Sequence, residues 1–282
     1  MMQQALVNKI IDCSVVDGPG NRTVVFFQGC NLDCKYCHNP ETIGFCTNCG
    51  ACIASCPAKA LSLVGKRVVW DDKKCIGCDV CLKTCTYKSS PKTKLMTAED
   101  VVLHLRPNLP FIRGITLSGG ECTLTRRDFI IELFAMTKAL GLTNLLDSNG
   151  TLDFSEDCEI LRDCDGVMLD IKAFDDSYHR KITGSPNELV LKNAVFLAKI
   201  GKLTEVRTVV IPGLLDNEGT ANKTSKLLSP YLSVADIGYK LIKYRPFGVR
   251  EEYSTFPVPD DALMQRLSDI VRGNGFRIVT VI

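Results

Sequence analysis

The stretch Cys30-Asn31-Leu32-Asp33-Cys34-Lys35-Tyr36-Cys37 places three thiols on one short loop with the spacing CxxxCxxC. It directly follows the apolar run from Thr23 to Gln28, which is short, continuous and rich in branched and aromatic residues, and we predict that this run is a fully buried strand. In α/β proteins the functional loops follow the carboxyl ends of strands. The stretch therefore predicts both an α/β fold and the centre of its active site.

The three thiols predict an iron–sulfur cluster. Thiolates of Cys30, Cys34 and Cys37 can bind three irons of a 4Fe–4S cluster, which leaves the fourth iron without a protein ligand. An open coordination position is where a metal can act on a substrate. Zinc is the alternative, but it would need a fourth ligand, and the adjacent His38 is geometrically cramped.

Two further cysteine runs follow the first loop. Cys46, Cys49, Cys52 and Cys56 have the bacterial ferredoxin spacing CxxCxxCxxxCP. Cys75, Cys78, Cys81 and Cys85 repeat the cysteine spacing 29 residues later, with Thr86 where the proline usually lies. In such two-cluster modules the fourth cysteine of each run binds the other cluster. We therefore pair Cys46, Cys49 and Cys52 with Cys85, and Cys75, Cys78 and Cys81 with Cys56. A zinc module is the alternative.

The predicted domains are residues 44–95, a ferredoxin-type insert with two 4Fe–4S clusters and a small hairpin, and a discontinuous unit of residues 1–43 and 96–282.

Composition limits the possible partners and the cellular compartment. The formal charge of +2 argues against nucleic acid or an anionic membrane as the main partner. No apolar stretch reaches bilayer length, and the first four residues lack the features of a signal peptide, so we expect a cytoplasmic protein. Eleven of the fifteen cysteines lie between Cys30 and Cys85, and such crowding in a cytosolic chain favours metal thiolates over disulfides. An anaerobic setting follows.

The rest of the chain alternates helix and strand. A capping box of Thr97 and Asp100 predicts a helix through about Leu105. Further helices are predicted over 127–140, 155–162, 188–200, 219–230 and 260–273, and strands over 115–118, 142–146, 166–171, 204–211, 238–243 and 276–281. Repeated βα units imply a parallel sheet, open or closed, with its site at the carboxyl edge of the strands.

Polar residues follow several of these strands. They are Gly119, Gly120 and Glu121 after one strand, Asp147 and Ser148 after the next, and Asp170, Ile171 and Lys172 at the end of a third. A carboxylate beside bare backbone could bind an ammonium group, and the others could bind a carboxylate, a cation or ribose hydroxyls. Taken singly, each could instead cap a helix. Their agreement with the cysteine loop favours one shared site.

Together these motifs resemble the radical S-adenosylmethionine (SAM) enzymes, and in particular the activases of glycyl-radical enzymes. The resemblance rests on the CxxxCxxC loop, Gly119-Gly120-Glu121, and several further segments over nearly the whole chain. These are Asp17-Gly18-Pro19-Gly20 with Arg22, Gln28-Gly29-Cys30, Tyr36-Cys37-His38-Asn39-Pro40, Leu169-Asp170-Ile171-Lys172, His179, Thr183-Gly184, Asn187, and Arg207 with Ile211-Pro212-Gly213. The insert directly after the cysteine loop is typical of one branch of these activases. Within that branch, the opening of the chain and the segment Tyr244 to Val249 look closest to the YjjW-type activases.

The resemblance implies a partial (β/α)6 barrel and a set of roles. Cys30, Cys34 and Cys37 would hold the catalytic 4Fe–4S cluster, with the methionyl group of SAM on its open iron. Tyr36, with Cys37 and His38 beside it, would lie against adenine, Glu121 with Gly119 and Gly120 would meet the amino group, and Asp170, Ile171, Lys172 and Arg207 would contact the carboxylate and ribose. Asp147, Ser148 and Met168 would form a monovalent-cation site, and Asp17 would face the incoming glycine. Relatives often have a His where Phe247 falls, and a phenyl ring can stack on adenine but cannot hydrogen-bond to it.

The implied reaction is radical generation on a protein. An electron, delivered by a flavodoxin or ferredoxin through the two auxiliary clusters, would reach the catalytic cluster and cleave SAM to methionine and a 5′-deoxyadenosyl radical. That radical would remove a Cα hydrogen from one glycine of a glycyl-radical enzyme, which a monomeric activase would meet transiently. The alternatives are a radical SAM enzyme acting on a small molecule or peptide, whose auxiliary clusters more often lie after the barrel, and a ferredoxin-like electron carrier. A carrier would leave about 190 residues of βα structure unexplained.

Overall fold

The computed structural model describes residues 3–282, so the first two residues of the predicted barrel unit lie outside the described residues. The strands are β1 (Gln4–Ser14), β2 (Arg22–Phe27), β3 (Leu61–Val64), β4 (Arg67–Trp70), β5 (Lys94–Thr97), β6 (Gly114–Gly119), β7 (Thr143–Ser148), β8 (Gly166–Asp170), β9 (Leu203–Val210), β10 (Gly238–Lys243) and β11 (Val279–Val281). The helices are α1 (Ala51–Ala54), α2 (Val80–Thr84), α3 (Ala98–Leu105), α4 (Arg127–Ala139), α5 (Asp176–Thr183), α6 (Glu188–Lys199), α7 (Asn217–Leu228) and α8 (Asp261–Gly273).

Nine strands form one mostly parallel sheet in the order β11-β10-β9-β8-β7-β6-β2-β1-β5. Neighbours from β2 to β11 are parallel, whereas β1 is antiparallel to both β2 and β5. The order begins at β11 and ends at β5, so the described sheet is open. This architecture confirms the prediction of an α/β fold with a mostly parallel sheet and is consistent with a partial barrel.

The sheet is buried because helices cover the parallel strands. All six residues of β2 are buried, and Phe27 at its end meets Phe129 of α4 edge to face, with ring centroids 5.9 Å apart. Leu133 of α4, Leu197 of α6 and Leu267 of α8 belong to the same core. The core therefore fixes the strand ends from which the functional loops begin.

A buried arginine ties the start of β2 to its neighbours. Arg22 is 1% exposed, and its guanidinium donates to the Ile115 carbonyl at 2.6 Å, to the Thr143 carbonyl at 2.8 Å and to the Pro19 carbonyl at 3.3 Å. Burial lowers its pKa to about 10. Arg22 thus holds the turn after β1 against the sheet.

Most predicted elements are confirmed, including the hairpin of β3 and β4 and the capping box of α3. The predicted helix over 155–162 is wrong, because only a 3-10 turn, Cys158–Leu161, forms there. The Asn193 side chain explains this, since it donates to the carbonyls of Gly150 and Leu152 and accepts from the Phe154 amide, which fixes the preceding residues as a loop.

Residues 44–93 lie outside the main sheet. They contain α1, α2 and the β3–β4 hairpin, and their small core consists of Cys52, Leu61 and Cys81 with Val68 and Trp70 packed against it. The main sheet resumes with β5, which begins at Lys94 and pairs with β1. The insert therefore has its own small core beside the sheet.

Candidate active site

A cavity of about 290 Å³ lies where the cysteine loop meets the parallel strands. Thirteen of the sequence-predicted site residues line it: Asp17, Cys30, Cys34, Tyr36, Cys37, His38, Gly119, Gly120, Glu121, Asp147, Asp170, Lys172 and Arg207. They come from the loops before and after β2 and from β6 to β9. The structure therefore brings together residues that are up to 190 positions apart in the sequence.

The loop with three cysteines is held by backbone contacts. The Cys30 amide donates to the Ile43 carbonyl at 3.0 Å, the Lys35 amide donates to the Ile182 carbonyl at 2.9 Å, and Arg250 donates to the Cys34 carbonyl at 3.1 Å. Burial raises the pKa of each of the three thiols to about 11. Metal binding must remove these protons, because the thiolate is the ligand.

The donor geometry favours a cluster over a single ion. Within residues 3–282, no three His, Cys, Asp or Glu side chains are arranged to hold one metal ion. In a 4Fe–4S cluster the thiolates bind different irons, so the sulfurs need not converge on one point. Zinc ligands must converge. The three thiols that open onto one cavity therefore fit an iron–sulfur cluster better than the alternative of zinc.

Tyr36 and Lys172 form the wall beside the cysteines. Tyr36 is 3% exposed, its ring centroid lies 5.9 Å from Lys172 Nζ, and its hydroxyl has no hydrogen-bond partner among the described residues. Lys172 Nζ lies 2.8 Å from Asp170 Oδ2. Burial acts to lower the pKa of Lys172, but the Asp170 carboxylate and nearby Cys34 raise it well above its ordinary value. Lys172 is thus a fixed cation in the cavity.

Glu121 is bound by internal donors. Its Oε1 accepts from the Thr123 hydroxyl at 2.6 Å and from the Ser148 hydroxyl at 2.9 Å, and its Oε2 accepts from the Asn149 amide at 2.6 Å. The side chain is 1% exposed. The carboxylate therefore joins the ends of β6 and β7 while it lines the cavity.

A row of buried charges runs below the cysteine loop. Arg207 Nη1 lies 3.0 Å from Asp147 Oδ1, and Arg207 Nε lies 2.6 Å from Glu205 Oε1, which also meets Lys240 Nζ at 2.9 Å. The second terminal nitrogen of Arg207 lies 2.9 Å from the Met168 sulfur. Burial raises the pKa of Asp147 to about 6, against the opposing effect of Arg207.

Four predicted residues do not line the cavity. Ser148 lies behind it as a donor to Glu121, and Met168 is buried against Arg207. Ile171 is buried in the core, and Phe247 is 83% exposed. Cys122, flagged by its place after Glu121, is buried and donates to the Asp147 carbonyl.

Sequence reasoning missed Asn149, Lys240 and Arg245, which also line the cavity. Asn149 was within reach because it continues the polar run that ends β7, and its side-chain amide lies 3.8 Å from Cys30 Sγ. Lys240 lies in the middle of β10 and Arg245 follows it, and nothing in their spacing marks them. The rule that functional residues follow strand ends cannot predict a residue such as Lys240, whose side chain reaches the site from the middle of a strand.

The eight cysteines of the insert line two separate cavities. Cys46, Cys49, Cys52 and Cys85 line one, and Cys56, Cys75, Cys78 and Cys81 line the other. These are the two sets of four cysteines that ferredoxin spacing predicts, and we call them the Cys46 foursome and the Cys56 foursome. Each set thus meets at one place although its fourth cysteine comes from the other run.

No helix in residues 3–282 is both long and apolar enough to cross a bilayer.

Comparisons with known proteins agree with this geometry. A family model described as the radical SAM superfamily matches residues 24–222. The trans-4-hydroxy-L-proline dehydratase activating enzyme of Clostridioides difficile is 32% identical over 94% of this chain and 92% of its own length. The pyruvate formate-lyase-activating enzyme of Streptococcus mutans is 31% identical over 86% of this chain and 78% of its own length. The solved structure of Streptococcus suis SuiB, at 15% identity, covers 90% of this chain and 47% of that one with a TM-score of 0.57, which shows the fold alone.

Proposed function

We infer the function of this chain from its family, since it belongs to the radical SAM superfamily and, within it, to the activating enzymes of glycyl-radical enzymes. Such enzymes cleave SAM to make a radical that acts on a glycine of a partner enzyme. The observation that carries the assignment to this chain is the convergence of Cys30, Cys34 and Cys37 with the charged strand-end residues on one cavity.

The residues of the cavity suggest how SAM is held. When bound, a reduced 4Fe–4S cluster supplies the electron that cleaves SAM to methionine and a 5′-deoxyadenosyl radical. Cys30, Cys34 and Cys37 would hold that cluster. Lys172 presents a cation for the methionyl carboxylate, and Asp170 both orients Lys172 and can accept from a ribose hydroxyl.

The remaining contacts place the two ends of SAM. Tyr36 offers a buried aromatic face for adenine, and its unpartnered hydroxyl can donate to the ligand. Since the Glu121 carboxylate already accepts from the Thr123 hydroxyl and amide, the Ser148 hydroxyl and the Asn149 amide, we assign most of the contact with the amino group to the backbone beside Gly120. Enclosure of these groups keeps water away from the radical.

A monovalent cation is proposed at Asp147, Ser148 and Met168. Arg207 contacts both Asp147 and Met168, so a cation there would share the Asp147 carboxylate with the guanidinium. Asp17, whose carboxylate accepts from the Ser14 hydroxyl at 2.5 Å, lines the same cavity and is proposed to face the incoming glycine.

The insert, predicted as residues 44–95 and outside the main sheet over 44–93, is proposed to be a ferredoxin-type domain with two auxiliary 4Fe–4S clusters that carry electrons to the catalytic cluster. The support is the meeting of four thiols in each of two cavities. From the resemblance we also propose a flavodoxin or ferredoxin as the electron donor, a monomeric state and membership of the YjjW-type branch. Relatives named for different partners have nearly equal identity, so identity selects no particular partner.

Anaerobic reconstitution tests the function. We expect about twelve irons per chain for three 4Fe–4S clusters, and formation of 5′-deoxyadenosine from SAM after reduction. Cys34→Ala should keep about eight irons and lose SAM cleavage. Cys158→Ala changes an exposed thiol outside the three sets, so this variant should keep about twelve irons and cleave SAM. About eight irons and no cleavage in the unmodified protein would refute the proposal.

A further inference from the structure

The insert carries a charge opposite to that of the rest of the chain. Residues 44–95 contain nine of the 34 Lys and Arg residues and three of the 32 Asp and Glu residues, a formal charge of +6, so the remainder carries −4. Thiolate-bound clusters are anionic and would offset part of the +6, so the surface lysines rather than the net charge are what an approaching partner would meet. Charge separation of this kind steers a charged partner toward one end of a molecule.

Five of these cations have no carboxylate partner in the described part of the chain: Lys59, Lys66, Arg67, Lys73 and Lys83. All five are exposed. By contrast, Lys74, Lys88, Lys92 and Lys94 each meet an aspartate. The unpaired cations are thus free to attract an acidic surface, and we call this set of five side chains the basic face for its charge.

The basic face flanks the cysteine loops of the insert. Lys59 lies between Ala58 and Ala60, which line the cavity of Cys56, Cys75, Cys78 and Cys81, and Lys73 precedes Cys75 by two residues. Beside them Ile76 is 68% exposed and Cys78 is exposed. A protein docked here would meet an apolar contact directly over a cysteine ligand loop, with cations around it.

The other foursome is the one joined to the catalytic loop. The Phe45 ring, next to Cys46, packs so closely on Gly29 that a Cβ there would lie 2.4 Å from the ring. The Cys30 amide donates to the Ile43 carbonyl, and the Gly44 amide donates to the Lys88 carbonyl at 2.7 Å. The Cys46 foursome therefore begins next to a ring that packs on the catalytic loop.

We propose that the basic face docks an acidic one-electron carrier protein, which delivers its electron to the cluster held by Cys56, Cys75, Cys78 and Cys81. This inference rests on the proposed function, because it supplies the electron used there. In each docking event the carrier is oxidised by one electron and the insert is reduced by one, with no transfer of a proton or other group.

The test compares two matched triple variants of the reconstituted enzyme. Lys59→Glu with Lys73→Glu and Lys83→Glu reverses the basic face. Lys181→Glu with Lys199→Glu and Lys226→Glu makes the same change at three exposed lysines of α5, α6 and α7. Anaerobic stopped-flow absorbance follows cluster reduction by pre-reduced acidic flavodoxin, and in parallel by the small photoreductant 5-deazariboflavin.

We expect the basic-face variant to be reduced by flavodoxin at least about tenfold more slowly than the unmodified enzyme, and the control variant to be less affected. Added salt should slow the reduction of the unmodified enzyme by flavodoxin toward the rate of the basic-face variant. Iron content and reduction by the photoreductant should match in all three proteins. Equal slowing in both variants, or none in the first, would overturn the docking site. If the photoreduced enzyme makes no 5′-deoxyadenosine, the proposed function fails instead.

Discussion

Arg207 Nη1 lies 3.0 Å from Asp147 Oδ1, and the two side chains are only 7% and 16% exposed. This pair connects β7 to β9 at the floor of the cavity, and Glu205 and Lys240 extend it. Removal of one member of a buried pair leaves an uncompensated charge, which costs more than the pair contributes. The floor of the site is therefore sensitive to single substitutions.

We predict that Arg207→Met lowers the free energy of unfolding by about 3–5 kcal/mol, because it leaves Asp147 buried without its cation. Urea unfolding followed by circular dichroism measures the loss. Arg266→Met is the matched control, since Arg266 meets Glu218 at 3.6 Å with both side chains more than half exposed. That change should cost less than about 1 kcal/mol. Similar losses in both variants would contradict the structural role of the pair.

Gly119 carries a backbone conformation that only glycine adopts at low cost. Its φ is +114°, and an added Cβ would lie 2.2 Å from the Phe27 amide nitrogen. We predict that Gly119→Ala destabilises the fold by more than about 2 kcal/mol, because backbone strain and a contact with β2 combine. Gly141→Ala isolates the strain, since Gly141 has φ +77° and open space around it, and it should cost about 1 kcal/mol. Thermal unfolding measures the stability of both variants. An equal loss in the two would show that the contact of the added Cβ with β2 does not contribute.

Lys240 holds the loop that carries Asp17. Its Nζ lies 3.1 Å from the Val16 carbonyl. A hydrogen bond from a charged group contributes about 1.5–3 kcal/mol, so we predict that Lys240→Met raises amide hydrogen exchange in residues 15–20 by about tenfold. Lys243→Met, on the same strand and paired with Asp261, should leave those amides unchanged. Unchanged exchange in the Lys240 variant would show that the loop is held by other contacts.

The sequence is most informative where spacing and buried strands coincide. The run from Thr23 to Gln28 has no polar interruption before its last residue, so β2 and the cysteine loop could both be placed. β1 was not predicted, because Ala5 and Val7 are buried while most of its later residues are partly exposed, which blurs the alternation that marks a strand. β5 was not predicted either, since its pairing with β1 gives a short edge strand with little burial.

The site shows the same limit. Cys30, Gly119, Asp147 and Asp170 follow from the rule that strand ends share one edge of a parallel sheet. Lys240 does not, because it reaches the cavity from within β10 through its contact with Glu205. A long side chain in mid-strand resembles an ordinary surface lysine until the tertiary structure shows its partners.

His179 predicts a pH dependence of stability. Its Nδ1 lies 2.7 Å from the Ser185 carbonyl, and its buried Nε2 has no partner in the described part of the chain. Burial lowers the pKa of His179, because desolvation disfavours the protonated imidazole. Since the folded pKa lies below the unfolded value of about 6.5, the unfolded chain binds more protons in that window, and stability falls as pH drops below about 6.5. We predict that the unmodified protein loses more unfolding free energy between pH 7.5 and 5.5 than His179→Gln does. Urea titrations at the two pH values measure the difference, and an equal loss in both proteins would show that other groups cause the acid sensitivity.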